Sequence, residues 1–358
     1  SVEIYIPRLC YHPDLPTSKG LKPVEFVYRG DERIESDTLD KEFEGCQLCV
    51  VEIQGKEGFP TSCNTLAEQG MVVRTDTAEL QKLRMENLVP FLADHPHYCL
   101  TCAQREGCSR TQCSSNVPEN ERCCPQLGHC EVQKVAEYVG ISEKIPKYKP
   151  AGIPILDQEP LFTRNYNFCL SCTRCVRACR ELRGVEALGF VFKDGRVIVG
   201  TTTGPSLSES ACKFCTTCVG VCPTGALVDR REAKGAQREA VLVPCRNTCP
   251  AGIDVPRYVH YIAEGQFDEA LAVIREKVPF PSVLGYICTR LCEAECRRSE
   301  VSEPIAIRAL KRVAAERGNG LWKEKLPPVT PTGKKVAVVG SGPAGLTAAY
   351  YLARRGHQ

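Results

Sequence analysis

The chain has 358 residues, 43% of them hydrophobic, which is enough for several domains that each bury a core. Its formal net charge is only +3, with basic and acidic residues interspersed, which excludes the strong field of a nucleic-acid or anionic-membrane binder. The 24 cysteines are not the staples of a small secreted domain, because a chain this long does not need them; in a reducing compartment such a concentration points to metal. The apolar stretch 336–353 is broken by glycines, a proline and hydroxyl residues, so no membrane span is expected. No basic and apolar leader stands at the start, although Ser1 rather than Met opens the chain. A soluble, cytoplasmic protein of a reducing, oxygen-poor setting is expected.

The cysteines fall into five groups. The first is Cys10, Cys46, Cys49 and Cys63; a polar insertion follows Cys10, and its one plausible strand, 24–28, reads as surface decoration. A helix is predicted next, with Asp76 as N-cap, Glu79 three residues on, and Leu80, Leu83, Leu88 and Leu92 on one face. The second group is His95, Cys99, Cys102, Cys108, Cys113, Cys123, Cys124 and Cys130. A connector over 144–160 leads to the third and fourth groups, which repeat one another. From Val241 the pattern is helical: Asp254 caps a segment with Pro256 in its first turn, and Phe267, Ala270, Leu271 and Ile274 form a stripe. The fifth group, Cys245, Cys249, Cys288, Cys292 and Cys296, brackets these helices. A Pro-rich linker over 326–333 then delivers a short apolar strand, 335–339.

The strongest pattern is the pair Cys169-x2-Cys172-x2-Cys175-x3-Cys179 and Cys212-x2-Cys215-x2-Cys218-x3-Cys222, the second followed by Pro223 and the first by Arg180. A cubane cluster takes four thiolates, and three cysteines spaced by two wrap one face of it. In two-cluster ferredoxins the fourth comes from the other run. The expected sets are therefore Cys169, Cys172, Cys175 and Cys222 for one [4Fe–4S] cluster, and Cys212, Cys215, Cys218 and Cys179 for the other. Structural zinc usually takes two separated ligand pairs instead of one compact run.

The first group has a distant cysteine, a Cys-x2-Cys pair and a later single, the outline of a [2Fe–2S] site, with 35 residues between Cys10 and Cys46. The stretches Ile6-Pro7-Arg8-Leu9-Cys10-Tyr11-His12-Pro13, Gly45-Cys46-Gln47-Leu48-Cys49-Val50-Val51-Glu52 and Thr61-Ser62-Cys63 resemble the N-terminal domain of the large iron–sulfur subunit of respiratory complex I, shared with iron-only hydrogenases and formate dehydrogenases. The long insertion departs from that family. The resemblance continues through His95-x3-Cys99-x2-Cys102-x5-Cys108, which implies a cubane with one histidine ligand; a neutral imidazole tends to raise the potential. The family's tail after its last cysteine is found here after Cys130, so Cys108 and Cys130 compete for the fourth place. With Cys113, Cys123 and Cys124 the segment has ligands enough for a second cubane, or carries spare thiols. His97 is the competing imidazole.

The fifth group, with Cys249-Pro250-Ala251-Gly252-Ile253-Asp254 and Cys292-Glu293-Ala294-Glu295-Cys296, resembles the helical cluster domain of the NADPH-dependent glutamate synthase small subunit, also found in dihydropyrimidine dehydrogenase. One cubane with four of the five cysteines is the expectation there. Gly340, Gly342, Pro343, Ala344 and Gly345 follow an apolar strand and open an apolar helix, the order of a dinucleotide-binding turn. The first glycine makes the turn, the second lets backbone approach a pyrophosphate, and the third permits close helix packing. In the glutamate synthase family such a turn opens an FAD domain. One strand and one helix bury no core, so the chain is expected to continue beyond Gln358.

The expected fold is α+β and multi-domain: a ferredoxin-like [2Fe–2S] domain over 1–70, a His/Cys cluster domain over 71–148, a two-cluster ferredoxin domain over 149–236, a helical Fe–S domain over 237–326, and the start of a Rossmann-type FAD domain over 334–358. Nicotinamide delivers electrons in pairs, flavin accepts the pair, and clusters pass them singly. The resemblance as a whole is to the electron-transfer subunit of NAD(P)-dependent formate dehydrogenases. It implies one [2Fe–2S] and four or five [4Fe–4S] clusters, FAD, NAD(P)H, and a partner catalytic chain of formate dehydrogenase or hydrogenase type. An NAD(P)H:ferredoxin or flavin-bifurcating subunit, with ferredoxin as partner, is the second enzymatic reading. A metal-stabilised structural protein is the non-redox one.

Overall fold

The computed structural model describes residues 4–104, 108, 112–113, 115–118, 122, 127–128, 130–141, 145–146, 148–149, 151–230 and 243–358. The chain divides into two compact units, Ser1–Leu242 and Val243–Gln358. Among the described residues no helix is long and apolar enough to cross a membrane.

In the first unit, β1 (Phe26–Arg29) and β2 (Glu32–Glu35) form a hairpin, followed by the short pair β3 (Glu52–Ile53) and β4 (Val73–Arg74). Then come α1 (Ala78–Ala93), α2 (Tyr98–Thr101), α3 (Glu131–Val139), β5 (Phe162–Arg164), α4 (Arg174–Arg177), β6 (Leu188–Lys193), β7 (Arg196–Thr201), α5 (Thr217–Gly220) and β8 (Leu227–Asp229). β6 and β7 are rich in Val, Phe and Ile, which suit a buried pleated surface. They join through Asp194-Gly195, both at positive φ, the backbone a tight hairpin turn demands. β5 pairs with β8 and so closes the segment that carries both cysteine runs.

The β1–β2 hairpin is not surface decoration. The sheet order is β2-β1-β7-β6. Val27 is fully buried, and Val24 N donates to Phe190 O at 2.9 Å. The apolar strands β6 and β7 would otherwise expose an edge, and the hairpin covers it. Gly200 makes the approach possible, since a Cβ there would stand 2.9 Å from Val27 Cβ.

α1 begins one residue later than expected. Thr77, not Asp76, is the N-cap and accepts from Leu80 N at 3.3 Å, while Asp76 accepts from the Gln81 side chain. The buried row is Leu80, Arg84, Leu88 and Leu92, spaced by four, with Leu83 at its half-buried margin. Thr77→Ala is expected to cost about 1 kcal/mol, the usual loss of an N-cap oxygen. Asp76→Ala should cost clearly less; equal losses in thermal unfolding would contradict the cap assignment. Leu88 and Leu92 of α1 join Val132 and Val135 of α3 and apolar side chains of β5 and β6 in one core that also contains several of the cysteines.

In the second unit, α6 (Pro244–Asn247), α7 (Val255–Ala263), α8 (Phe267–Arg275), α9 (Pro281–Ile287), α10 (Leu291–Ala294), α11 (Ile307–Arg317) and α12 (Leu321–Glu324) form a helical bundle. As expected, Asp254 caps α7, accepting from Arg257 N at 3.3 Å. The stripe on α8 is broader than expected, with Ala270 to Ile274 all buried. Residues 334–342 lead into α13 (Pro343–Arg354) without forming the strand expected over 335–339. Gln358 N donates to Lys334 O at 2.9 Å and Val336 N to Gln358 O at 2.7 Å, the bond pattern of a parallel pair across a connecting helix.

Candidate metal centres

The two cysteine runs of the first unit share one backbone shape. Ser171 and Thr173 have φ of 54° and 59°, and Phe214 and Thr216, at the same places in the second run, have 52° and 57°. A left-handed non-glycine residue costs roughly 1–3 kcal/mol and persists where the surroundings over-determine it. Here the strain turns the chain twice within seven residues, so that amides face sulfurs. Ser171 N donates to Cys169 Sγ at 3.3 Å, and Phe214 N to Cys212 Sγ at 3.4 Å. Cys179 lies in a π-turn over Ala178–Leu182, a bulge common at functional sites.

The fold sorts the eight sulfurs into two sets. One cavity is lined by Cys169, Cys172, Cys175 and Cys222, together with Leu188 and Pro223. A second is lined by Cys179, Cys212, Cys215 and Cys218, together with Leu188 and Arg183. Each run thus sends its last cysteine to the other's cavity. Burial and the neighbouring sulfurs push the Cys175 and Cys218 thiols well up. Burial also pushes Cys215 up, but the Arg183 charge and bonds from Thr217 outweigh it and leave the thiol below its ordinary value.

Cys10, Cys46, Cys49 and Cys63 also assemble. Cys46 N donates to Cys10 Sγ at 3.4 Å, Leu9 N to Cys46 Sγ at 3.4 Å, and the sulfurs of Cys49 and Cys63 stand 3.3 Å apart. Hydrogen bonding from Cys10 pulls the Cys46 thiol down to about 6, and bonding from Cys63 pulls Cys49 down to about 7. Cys10 and Cys63 are pushed up in turn by the hydrogen bonds to Cys46 and Cys49 and by burial. Two buried arginines hold this loop. Arg84 of α1 donates to Leu48 O at 3.2 Å and Val50 O at 2.8 Å, and Arg177 of α4 donates to Pro16 O at 2.6 Å and to Cys10 O.

His95 is 1% exposed, and its Nδ1 lies 2.8 Å from Pro96 O. A carbonyl only accepts, so Nδ1 carries the proton and Nε2 presents a lone pair. That Nε2 is buried without a hydrogen-bond partner among the described residues. Burial lowers the His95 pKa to about 4, so the ring is neutral. His97 Nδ1 instead bonds Leu92 O at 2.8 Å. Cys99 lies on α2 and Cys102 caps its end. Cys108 is exposed and Cys113 half-buried, whereas Cys130 is buried with its Sγ 3.8 Å from Pro223 O. Cys123 and Cys124 lie outside the described residues.

In the second unit, Tyr258 of α7 is fully buried and donates to Ile307 O at 2.9 Å. Burial raises its pKa well above normal, and the thiols of Cys292, Cys245, Cys249 and Cys288 push it the same way. Cys296 precedes the turn Arg297–Glu300. At the glycine turn, Gly340 has φ of +111°, and a Cβ on Gly342 would meet nothing. A Cβ on Gly345 would run into the Gly340 carbonyl oxygen.

Among the described residues no three His, Cys, Asp or Glu side chains converge as a single bound ion would require. A cluster is a larger body and holds its thiolates further apart. The buried arginines, Arg84, Arg174 and Arg177, escaped the sequence reading. Their only signal was an arginine within an otherwise apolar helix row, and two arginines inside a cysteine run.

Three stretches match known families. Residues 37–78 match a 2Fe–2S iron–sulfur cluster binding domain, 159–228 the ferredoxin-like domain of NADH-quinone oxidoreductase subunit 3, and 230–320 dihydropyrimidine dehydrogenase domain II with its 4Fe–4S cluster. The chain is 36% identical over 191 residues to the NADP(+)-dependent formate dehydrogenase subunit beta of Moorella thermoacetica, covering 47% of this chain and 24% of that one. It is 47% identical over 118 residues to the NADPH-Fe(3+) oxidoreductase subunit beta of Geobacter sulfurreducens, covering 32% and 17%. It is 27% identical over 229 residues to the NADP-reducing hydrogenase subunit HndD of Solidesulfovibrio fructosivorans, covering 64% and 32%. The chain therefore spans a third or less of each of these relatives. By its domains it is a mixed α/β protein with ferredoxin-like iron–sulfur modules of both the 2Fe–2S and 4Fe–4S types.

Proposed function

We propose that this chain is the electron-relay portion of an NAD(P)H-linked oxidoreductase, working beside a catalytic chain of the formate dehydrogenase or hydrogenase type in a reducing cytoplasm. The observation that carries it is the pair of cavities with crossed cysteine sets, the arrangement two-cluster ferredoxins use. When bound, the clusters supply single-electron transfer and FAD the exchange with a two-electron hydride donor.

The chain's own residues fit these groups. Cys10, Cys46, Cys49 and Cys63 would hold the [2Fe–2S] cluster as thiolates. His95 Nε2, Cys99 and Cys102 would hold a cubane, with buried Cys130 preferred to exposed Cys108 as the fourth ligand. In the second unit four of Cys245, Cys249, Cys288, Cys292 and Cys296 would hold a further cubane. Gly340 and Gly342 leave room for a pyrophosphate at the start of α13, and Gly345 lets the helix approach Gly340, which supports an FAD turn formed with Pro343 and Ala344.

The full-length protein should contain about 18 irons per chain with matching sulfide, from one binuclear and four cubane clusters. Its visible absorption should bleach with NADPH or NADH. Zinc without sulfide would overturn the cluster reading. Bleaching by dithionite but not by nicotinamide would overturn the flavin entry while leaving the clusters.

A further inference from the structure

Arg174 and Arg177 are two buried cations on α4, each 1% exposed, and their fates differ. Arg174 is neutralised by a bidentate pair with Glu131, both contacts 2.7 Å. The guanidinium of Arg177 donates only to the carbonyls of Pro16 and Cys10 among the described residues, and its Nε–H has no partner there. The carboxylate that acts on it, Glu181, already pairs with Arg180 at 2.8 Å. A buried, permanently charged group without a counter-charge is strongly unfavourable, so a fold that keeps one must supply negative charge nearby. Its position joins two different sets: Arg177 donates to the carbonyl of Cys10 of the first group, and on α4 it stands two residues after Cys175 of the Cys169 run.

We propose that Arg177 is the shared counter-charge of two clusters, the [2Fe–2S] cluster at Cys10–Cys46–Cys49–Cys63 and the [4Fe–4S] cluster at Cys169–Cys172–Cys175–Cys222. It rests on the cluster assignment above. Each cluster with four thiolates carries net negative charge, and reduction adds one more. A fixed cation close to both stabilises both reduced forms and therefore raises both midpoint potentials. It also ties the loop 10–16 to α4, so it is a positioning and tuning residue rather than a ligand.

The test is a potentiometric titration followed by electron paramagnetic resonance of the two reduced clusters in the full-length protein, with iron and sulfide measured in parallel. Arg177→Met should lower both midpoints by at least the tenfold change in a one-electron equilibrium that reads as about 59 mV. Arg177→Lys, which keeps the charge, should recover most of that. A third variant avoids the buried site. Glu131 is 47% exposed, and Glu131→Gln leaves Arg174 without its neutralising partner. Because Arg174 donates to Val221 O at 3.4 Å, next to Cys222, that change should move the midpoint of the Cys169 set upward, opposite in sign to Arg177→Met. If Arg177→Met loses iron, the Lys and Glu131 variants decide. The proposal is overturned if Arg177→Met moves only one midpoint, if Lys shifts as far as Met, or if Glu131→Gln moves the midpoint of the Cys169 set down or not at all. A wild-type protein lacking the two signals would instead refute the cluster assignment.

Discussion

Cys222→Ala is expected to remove about four irons per chain and to abolish the same paramagnetic signal that Cys172→Ala abolishes, although Cys222 belongs to the other cysteine run. The reason is geometric. Cys222 lines the cavity of Cys169, Cys172 and Cys175, while Cys179 lines that of Cys212, Cys215 and Cys218. Cys179→Ala should accordingly match Cys215→Ala. The exchange puts each cluster across the segment between the runs, so losing either one should also loosen β6 and β7, whose Leu188 lines both cavities. If Cys222→Ala instead matched Cys215→Ala, each run would hold its own cluster and the crossed arrangement would be wrong.

Glu159→Ala should be the most damaging change away from the cysteines, at about 3–5 kcal/mol, the usual cost of stranding one partner of a buried ion pair. Glu159 and Arg164 are each 1% exposed and 2.6 Å apart. Glu159 also accepts from Leu207 N at 3.0 Å, and Arg164 donates to Pro205 O at 3.0 Å and Tyr166 Oη at 3.3 Å. The pair therefore fixes β5 to the loop that enters the second run. Removing the acid leaves Arg164 buried and charged with neutral acceptors only. The fall should be read in thermal unfolding of the cluster-loaded protein, and adding Arg164→Met should restore part of it. A loss under about 1 kcal/mol would mean that water reaches the pair.

Much of the candidate site was legible because ligation inside a cysteine run is local chemistry. Two residues between thiolates set the bite on a cluster, and the sequence spacing states it directly. The matching left-handed turns at Ser171, Thr173, Phe214 and Thr216 are the backbone form of that repeat. The cap at Asp254 and the turn before Pro343 were legible for the same reason, since a cap or a tight turn is decided by neighbours in the chain. The start of α1 slipped by one residue because Asp76 and Thr77 are both good caps, and only the hydrogen bond to Leu80 N separates them.

What the sequence could not state is what long-range packing decides. The 2Fe–2S family match begins at residue 37, late in the insertion, and leaves Cys10 outside it. The fold returns Cys10 to Cys46 across those 35 residues, because the hairpin inside the insertion is drawn onto β7 and covers an otherwise open apolar edge. The burial of Arg177 against Cys10 O, 167 positions away, follows from the same packing. By itself the sequence determined that this protein carries cysteines in iron–sulfur spacings and a Gly-x-Gly-x-x-Gly turn ahead of a helix. Only the tertiary structure decided which sulfurs share a cavity, which imidazole nitrogen is buried without a partner among the described residues, and which arginines are buried beside the cysteines. Those depend on where separate stretches of chain meet, and apolar burial drives that meeting with no mark in local spacing.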